Sequence, residues 1–461
     1  MITLVLAERE AAVIEEVARE PLETAGVLLA TPIDTASGDL RLLSRQLILV
    51  DNAHYNHRTH DGLIIASEGY VGALGIAERL KAIPIWFHTH PGQEGEPLPS
   101  DHDRIVDEQI ADLFRLRANT PFYGTLIVSP RSSGIIFSGA LHPEGGSVRR
   151  LTHMWRIGND WRLTRAFDSP GINLSTAYDR NIRAFGSAVQ SALSELRIAI
   201  VGCGGTGSAV AEQLVRLGVR DLILIDGDCL SASNLTRVYG STARDVGRAK
   251  VEVLREHLIE IAPDLQCQAI VSIITQESTA RQLIGRDLIF GCTDDNAGRL
   301  VLSRYATYLS TPVIDVGVLL SSDKDGILTG IDGRITILTP CAACLVCRGR
   351  IDFARAAAEQ MTPAEHSRLQ GEGYAPALAG VEPAVVTFTT AVAAAAVSEL
   401  LERMTGFGPQ PRPTEILLRL HEREISTNVA APRADHYCDV RTGKLGAAAI
   451  QPFLEQTWIV Q

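Results

Sequence analysis

The chain has 461 residues, enough for about three domains at roughly 150 residues each. It carries 43 Lys and Arg against 54 Asp and Glu, a formal net charge of −11. That balance argues against a protein that coats nucleic acid or an anionic membrane, while leaving room for a local basic pocket. Hydrophobic residues at 46% and charged residues at 21% exclude wholesale disorder, and an aromatic content of 5% leaves the cores to Ala, Val, Leu and Ile.

Residues 1–150 read as an α+β unit. Strands are expected at residues 2–6 and 26–31, with Ala11, Val13, Ile14 and Val17 at helical spacing between them. Residues 40–50 and 83–88 are further strand candidates. Ser100 stands at a helix N-cap position ahead of Ile105, Val106, Ile110, Leu113 and Phe114, and strands at 126–129 and 134–137 close the unit. The stretch from 142 to 173 has little periodicity, so residues 151–174 are expected to form a linker. From 175 to 440 the rhythm changes to βαβ: a strand at 197–201, a glycine turn, a helix at 209–217 and a strand at 222–225. The pattern continues at 250–261, 288–290 and 312–316, as in a doubly wound parallel sheet. Residues 441–461 are left as a tail. The apolar stretch 383–398 is short for a bilayer span and reads as a buried helix. With no basic leader at the N-terminus and cysteines too sparse for a disulfide scaffold, a cytoplasmic protein with reduced thiols is expected.

Three constellations carry chemistry. In the first, His88 and His90 lie two apart at a strand end, so both imidazoles leave the same face. Asp103 follows on the first turn of the Ser100 helix. Two imidazoles and a carboxylate make a catalytic zinc set with one position open. Glu23 is the candidate base and Ser100 the candidate oxyanion donor. The order Glu23, His88-Thr-His90-Pro, Ser100-Xaa-Xaa-Asp103 resembles the JAMM (JAB/MPN) metalloproteases over about 140 residues. The resemblance implies cleavage of peptide or isopeptide bonds after a ubiquitin-like C-terminus. The nine residues between His90 and Ser100 exceed the family's usual spacing, which leaves Asp101 as a competing ligand; the loop at 92–99 is expected to absorb the excess. His54, His57 and His60 recur every three residues but read as a solvated loop.

The second constellation is Gly202-Xaa-Gly204-Gly205-Xaa-Gly207 between a strand and a helix, a turn whose amides meet phosphate. Asp226 and Asp228 end the next strand, where an acid can hold a ribose hydroxyl. Asn234, Arg237 and Lys250 then add polar and cationic groups, and Asp294, Asp295 and Arg299 follow another strand. A dehydrogenase has no need of this array, whereas an enzyme that brings a carboxylate to the α-phosphate of ATP must neutralise several charges at once. Asp294 as magnesium ligand, with Arg237 and Lys250 on the phosphates, meets that demand. Together with Tyr178-Asp-Arg180, these segments resemble the ubiquitin-activating and ThiF/MoeB adenylyltransferase family over residues 175–440. The resemblance implies ATP and Mg²⁺, and a partner that is a ubiquitin-like or sulfur-carrier protein with a C-terminal glycine. It also implies a homodimer in which Arg180 reaches the opposite subunit's ATP site.

The third is Cys344-Xaa-Xaa-Cys347 with Cys438, which resembles that family's structural zinc site. His436, Asp435 and Cys341 remain open as fourth ligand. Cys203, Cys229, Cys267 and Cys292 read as small buried residues, and Cys341 is the one thioester candidate, because the expected mobile loop at 348–381 contains no cysteine.

The fold class expected is α/β: a JAB/MPN α+β metalloprotease fold followed by a Rossmann-like adenylation domain. The function expected is activation of a ubiquitin-like protein combined with cleavage after its C-terminus, a conjugating enzyme being a further partner. Sulfur-carrier activation for biosynthesis and a non-catalytic scaffold are the alternatives.

Overall fold

The computed structural model describes residues 1–91, 97–132, 134–167, 169, 171, 173–325, 327–371 and 384–458. The chain divides into two compact units, Met1–Ile172 with Leu445–Ala449, and Asn173–Lys444 with Ile450–Gln461.

In the first unit the elements run β1 (Ile2–Ala7), α1 (Glu8–Val17), β2 (Ala25–Asp34), β3 (Leu40–Leu49), β4 (Tyr55–Arg58), β5 (Leu63–Ile65), α2 (Glu68–Leu80) and β6 (Ile83–Thr89). They continue with α3 (Asp101–Ala118), β7 (Phe122–Arg131), β8 (Gly134–Pro143), β9 (Arg149–Arg150), β10 (His153–Ile157) and β11 (Arg162–Arg165). Among the described residues one mixed sheet has the order β11-β10-β1-β3-β2-β6-β7-β8-β9, and β4 and β5 pair as a separate ribbon. Both faces are covered, which is why β2 and β6 read as unbroken apolar runs rather than alternating ones. Leu28, Ile85 and Phe87 join Leu4, Leu6 and Ile14 in one core, while Val27, Leu29 and Trp86 join Leu74, Phe114 and Tyr123 in the other.

The stretch 151–174, expected as a linker, carries two strands instead. β10 pairs in parallel with β1, and β11 pairs back onto β10. Met154, Trp155 and Ile157 are buried there, too few residues to show a period of two. His57 lies on β4, in a ribbon, rather than in a free loop.

The second unit opens with α4 (Asp179–Phe185) and α5 (Ser187–Glu195), then β12 (Arg197–Val201), α6 (Gly205–Leu217), β13 (Asp221–Ile225), α7 (Lys250–Ile261), β14 (Gln266–Ile270), α8 (Glu277–Arg281) and β15 (Leu288–Gly291). It proceeds through α9 (Asn296–Tyr308), β16 (Val313–Ser322), β17 (Leu328–Leu338), α10 (Phe353–Glu359), α11 (Pro363–Gly371), α12 (Val386–Thr405), β18 (Glu415–Arg419) and β19 (Glu424–Asn428). The sheet order is β14-β13-β12-β15-β16-β17-β18-β19, parallel as far as β16 and antiparallel beyond. The chain winds outward from β12 in one direction and from β15 in the other. The crevice outside the carboxyl ends of these two strands is therefore the switch point of a Rossmann-like sheet, where such folds hold ligands.

Two helices occupy part of the expected loop at 348–381, and the remainder, from 372, lies outside the described residues. The segment after 440 is not a loose tail: Arg304 donates to the carbonyls of Leu454 and Glu455, and Lys444 pairs with Glu455. No helix among the described residues is long and apolar enough to cross a membrane.

Candidate functional site

The switch point is built around a glycine turn that other residues could not form. Gly202 has φ +88°, and a Cβ there would meet the backbone of Cys292 and Thr293 at 2.6–2.8 Å. The turn is thus pressed against the end of β15, which brings the residues after β15 to the phosphate-binding amides. Gly204 is the extended N-cap of α6, and Gly205 and Gly207 are its first and third residues. The Cys203 N–H donates to Asp226 Oδ2 at 2.7 Å and the Asp228 N–H donates to Asp226 Oδ1 at 2.8 Å, so the Asp226 side chain clasps both loops. Burial pushes the Asp226 carboxyl above its ordinary range, against the pull of Lys250. Lys250 Nζ lies 2.7 Å from Asp228 and 4.0 Å from Asp226.

Arg237 packs its aliphatic stem over Gly205, where a Cβ would meet Arg237 Cγ and Cδ and Thr389 Oγ1 each at 3.2 Å, and its Nη1 donates to the Ser233 carbonyl. Asn234 is buried, and its Oδ1 accepts from the Ser231 N–H as part of a capping box; its role there is to shape the loop. Asp295 is likewise taken up: it caps α9 by accepting from the Gly298 N–H and from Thr293 Oγ1. Its neighbour Asp294 is exposed, with no hydrogen bond or ion pair among the described residues, and so presents a carboxylate that fits a hard cation. Arg299 points elsewhere, its Nε 3.3 Å from Asp315 Oδ1. Arg180 is exposed on α4.

In the first unit, antiparallel pairing sets Ala25 beside His88, and the Thr89 N–H donates to the Thr24 carbonyl. That register carries Glu23 to the histidines. The Nε2 atoms of His88 and His90 are 3.2 Å apart. Asp103 brings Oδ1 to 3.4 Å of His88 and Oδ2 to 3.6 Å of His90, and Glu23 Oε1 lies 3.9 Å from His90. Both Nδ1 atoms are buried without a hydrogen-bond partner, so the rings are oriented by packing. Burial opposes ionisation of Asp103, but hydrogen bonds from His88 and His90 outweigh it and hold the carboxyl well below its usual range. Burial raises the Glu23 carboxyl.

His88, His90 and Asp103 place one donor atom each within 4.8 Å of one another, a donor set that fits zinc. Asp101 is solvent-exposed and paired with Arg104. Ser100 forms a reciprocal capping box: its Oγ accepts from the Asp103 N–H, and its own N–H donates to Asp103 Oδ2 at 2.7 Å. Its hydroxyl proton remains free to donate. The 92–99 loop lies mostly outside the described residues. Sequence reading missed Arg58 and Thr59. The Glu23 N–H donates to the Thr59 carbonyl, and Arg58 Nε donates to the Glu23 carbonyl at 2.7 Å, fixing the backbone on both sides of the carboxylate.

Cys344, Cys347, His436 and Cys438 converge in the second unit, again within 4.8 Å of one another, whereas Cys341 and Asp435 are outside the cluster. His436 Nδ1 is 3.5 Å from Cys344 Sγ and 3.3 Å from Cys438 Sγ. A hydrogen bond from Cys438 draws the Cys344 thiol below its ordinary value, while Cys438 is raised. Three sulfurs and an imidazole suit zinc. Cys229, expected to be buried, is exposed; Cys341 is exposed with φ +69°.

A nucleotide-fold sheet with carboxylates and cations gathered at its switch point defines a class of phosphate-handling α/β proteins. The ThiF family profile matches residues 178–440, and the chain belongs to the ThiF family. It is similar to the sulfur carrier protein ThiS adenylyltransferase of Escherichia coli K12, at 30% identity over 34% of this chain and 60% of that protein. It is also similar to the molybdopterin-synthase adenylyltransferase of the same organism, at 32% identity over 36% of this chain and 66% of that protein. The chain thus spans somewhat under two thirds of the length of these relatives. Among solved structures, E. coli MccB in complex with MccA-N7isoASN has a TM-score of 0.46 and 18% identity over 58% of this chain and 75% of that one.

Proposed function

We propose that the ThiF unit adenylates the C-terminal glycine of a ubiquitin-like or sulfur-carrier protein, and that the first unit is a JAMM-type zinc hydrolase that cleaves after that C-terminus. The convergence of the glycine turn, Asp294, Arg237 and Lys250 on one switch point carries the first reading. A carboxylate oxygen of the partner attacks the α-phosphorus of ATP, and the bond to the β-phosphate bridging oxygen breaks with pyrophosphate taking the electron pair. Arg237 and Lys250 stabilise the charge that grows on the leaving group, interactions that strengthen as the bond breaks. Asp294 would hold magnesium, which would supply further neutralisation of the phosphates. The name of the ThiS adenylyltransferase relative favours a sulfur carrier as partner, and a modifier that passes to a conjugating enzyme fits the same chemistry. In keeping with the family resemblance we take the protein to be a cytoplasmic homodimer, with Arg180 completing the neighbouring subunit's ATP site.

The set Glu23, His88, His90 and Asp103 favours the second reading. Zinc supplies Lewis acidity toward the scissile carbonyl. Glu23 takes the proton of the attacking water and returns it to the leaving amine, a transfer for which a raised carboxyl pKa is suited. Ser100 donates to the oxyanion. Exchange of labelled pyrophosphate into ATP, dependent on Mg²⁺ and on a partner with a free C-terminal glycine, tests the first activity. Asp294→Ala should lower the rate by about 10²–10³. Undiminished exchange in that variant, or none in the wild type with any glycine-terminated carrier, would refute it.

A further inference from the structure

The strands next to the switch point carry a polar trough that the proposed chemistry leaves unused. β16, β17 and β18 align Asp315, Thr336 and Glu415 side by side, and one step outward Gly317 lies beside Arg334 on the same face. The inner row is sealed, at 1%, 0% and 1% exposure, whereas Arg334 is half-buried and Leu319, one step further, is 54% exposed. The face therefore descends from open solvent to a buried polar floor. Its inner end adjoins the ATP crevice, because Asp315 pairs with Gly291 at the end of β15, three residues before Asp294.

The charges along this descent do not balance. Arg350 donates twice to Glu415, which leaves Asp315 to face both Arg299 and Arg334. A Cβ on Gly317 would lie 3.0 Å from Arg299 Nη2 and 3.9 Å from Arg334 Nη2, so the two guanidiniums converge over the one residue without a side chain. Arg334 has no ion pair among the described residues. Both Asp315 oxygens, Thr336 Oγ1 and Arg334 Nε are buried without a hydrogen-bond partner. Of these, Arg334 Nε and the Thr336 hydroxyl are donors, and a buried donor left without an acceptor is costly, so a bound acceptor would satisfy them. Two converging guanidiniums with one carboxylate between them call for an anion, and a planar carboxylate matches their fork geometry.

We infer that this trough takes an acidic side chain from the segment preceding the C-terminal glycine of the protein being activated, with Arg334 as the specificity residue. The inference rests on the proposed adenylation. It is tested by fluorescence anisotropy of labelled ten-residue peptides ending in Gly-Gly, titrated with the full-length protein. A single Glu is moved through the third to sixth positions from the end and compared with Gln and Lys at each position. At one position Glu should bind at least about tenfold tighter than Gln, as a charge-assisted pair provides. Arg334→Gln should erase that preference, Arg334→Lys should keep only part of it because an ammonium lacks the fork, and Arg334→Glu should shift it toward Lys, all with unchanged melting temperature and ATP binding. Equal affinity for Glu, Gln and Lys peptides at every position, or no peptide binding, overturns the inference. Partner-dependent exchange without charge preference would leave adenylation standing while overturning the trough. Charge-selective binding without exchange would do the reverse.

Discussion

Two alanine substitutions three residues apart in the turn, at Gly204 and Gly207, separate fold from ligand. At Gly207 a Cβ would lie 1.9 Å from the Gly202 carbonyl oxygen and 3.0 Å from its carbon, both rigid backbone atoms. Since real Cβ contacts do not fall below about 3 Å, the turn must open by roughly 1 Å, and overpacking of that kind costs about 1–3 kcal/mol. For a domain of this size that is a fall of about 2–10 °C in melting temperature. At Gly204 a Cβ would meet no atom within 4 Å, and its extended φ of −74° suits alanine. Gly204→Ala should therefore melt within about 1 °C of wild type, since no contact changes and the unfolded chain loses some freedom. Its methyl group would stand where the turn's amides meet phosphate. In wild type, ATP at a hundredfold its Kd should stabilise by about 2.7 kcal/mol, a rise of several degrees. Gly204→Ala should lose most of that rise, while Gly207→Ala should start lower. The assay is paired thermal melts with and without Mg-ATP, backed by calorimetric titration. A wild-type ATP response in Gly204→Ala would show that the phosphates do not rest on this turn. An unshifted melt for Gly207→Ala would show that the turn is not packed as described.

Glu23→Gln should keep its zinc, measured by metal analysis, and lose most cleavage of a fusion placed after the partner's terminal glycine; full activity would dismiss Glu23 as the base. The same variant should retain pyrophosphate exchange, and loss of both activities with the fold intact would mean that the two sites are not independent. His436→Ala should lower the zinc content of the second unit and its melting temperature together, whereas Cys341→Ser should do neither; the opposite result would exchange their roles. Mixing Arg180→Ala with Asp294→Ala protein should restore part of the exchange through hybrid dimers, and no recovery after demonstrated subunit exchange would remove Arg180 from the neighbour's site.

What was legible in the sequence was whatever depends on local order. The glycine turn, the Ser100 cap and the paired histidines each lie within a few residues of the element that positions them, so spacing alone places them. What depended on strand pairing was less legible. His436 reaches Cys344 across 92 residues, and nothing near it separates it from Asp435 as a fourth ligand. Arg58 supports Glu23 from a ribbon whose two strands, of four and three residues, are too short to show a period. Asp295 reads from sequence like its neighbour Asp294, because the hydrogen bonds that engage it as a cap are visible only once α9 is placed. The unbalanced charge at Arg334 required the register of three strands.

The capping geometry also explains why the two candidate centres take the same form on unrelated sheets. In each, a carboxylate must be held within a few tenths of an ångström although it sits at the rim of the fold. A helix beginning just beyond a strand end supplies that rigidity only if its first turn is tied down, since four N–H groups there have no partner within the helix. Ser100 ties the start of α3 and so holds Asp103 at its third position, and Asp295 ties the start of α9 and so sets Asp294 immediately before it. At α9 cap and candidate ligand are separate residues, because Asp295 commits one oxygen to the Gly298 N–H and the other to Thr293. At α3 Asp103 serves both purposes, offering Oδ2 to the Ser100 N–H while Oδ1 faces His88 and Oδ2 lies 3.6 Å from His90.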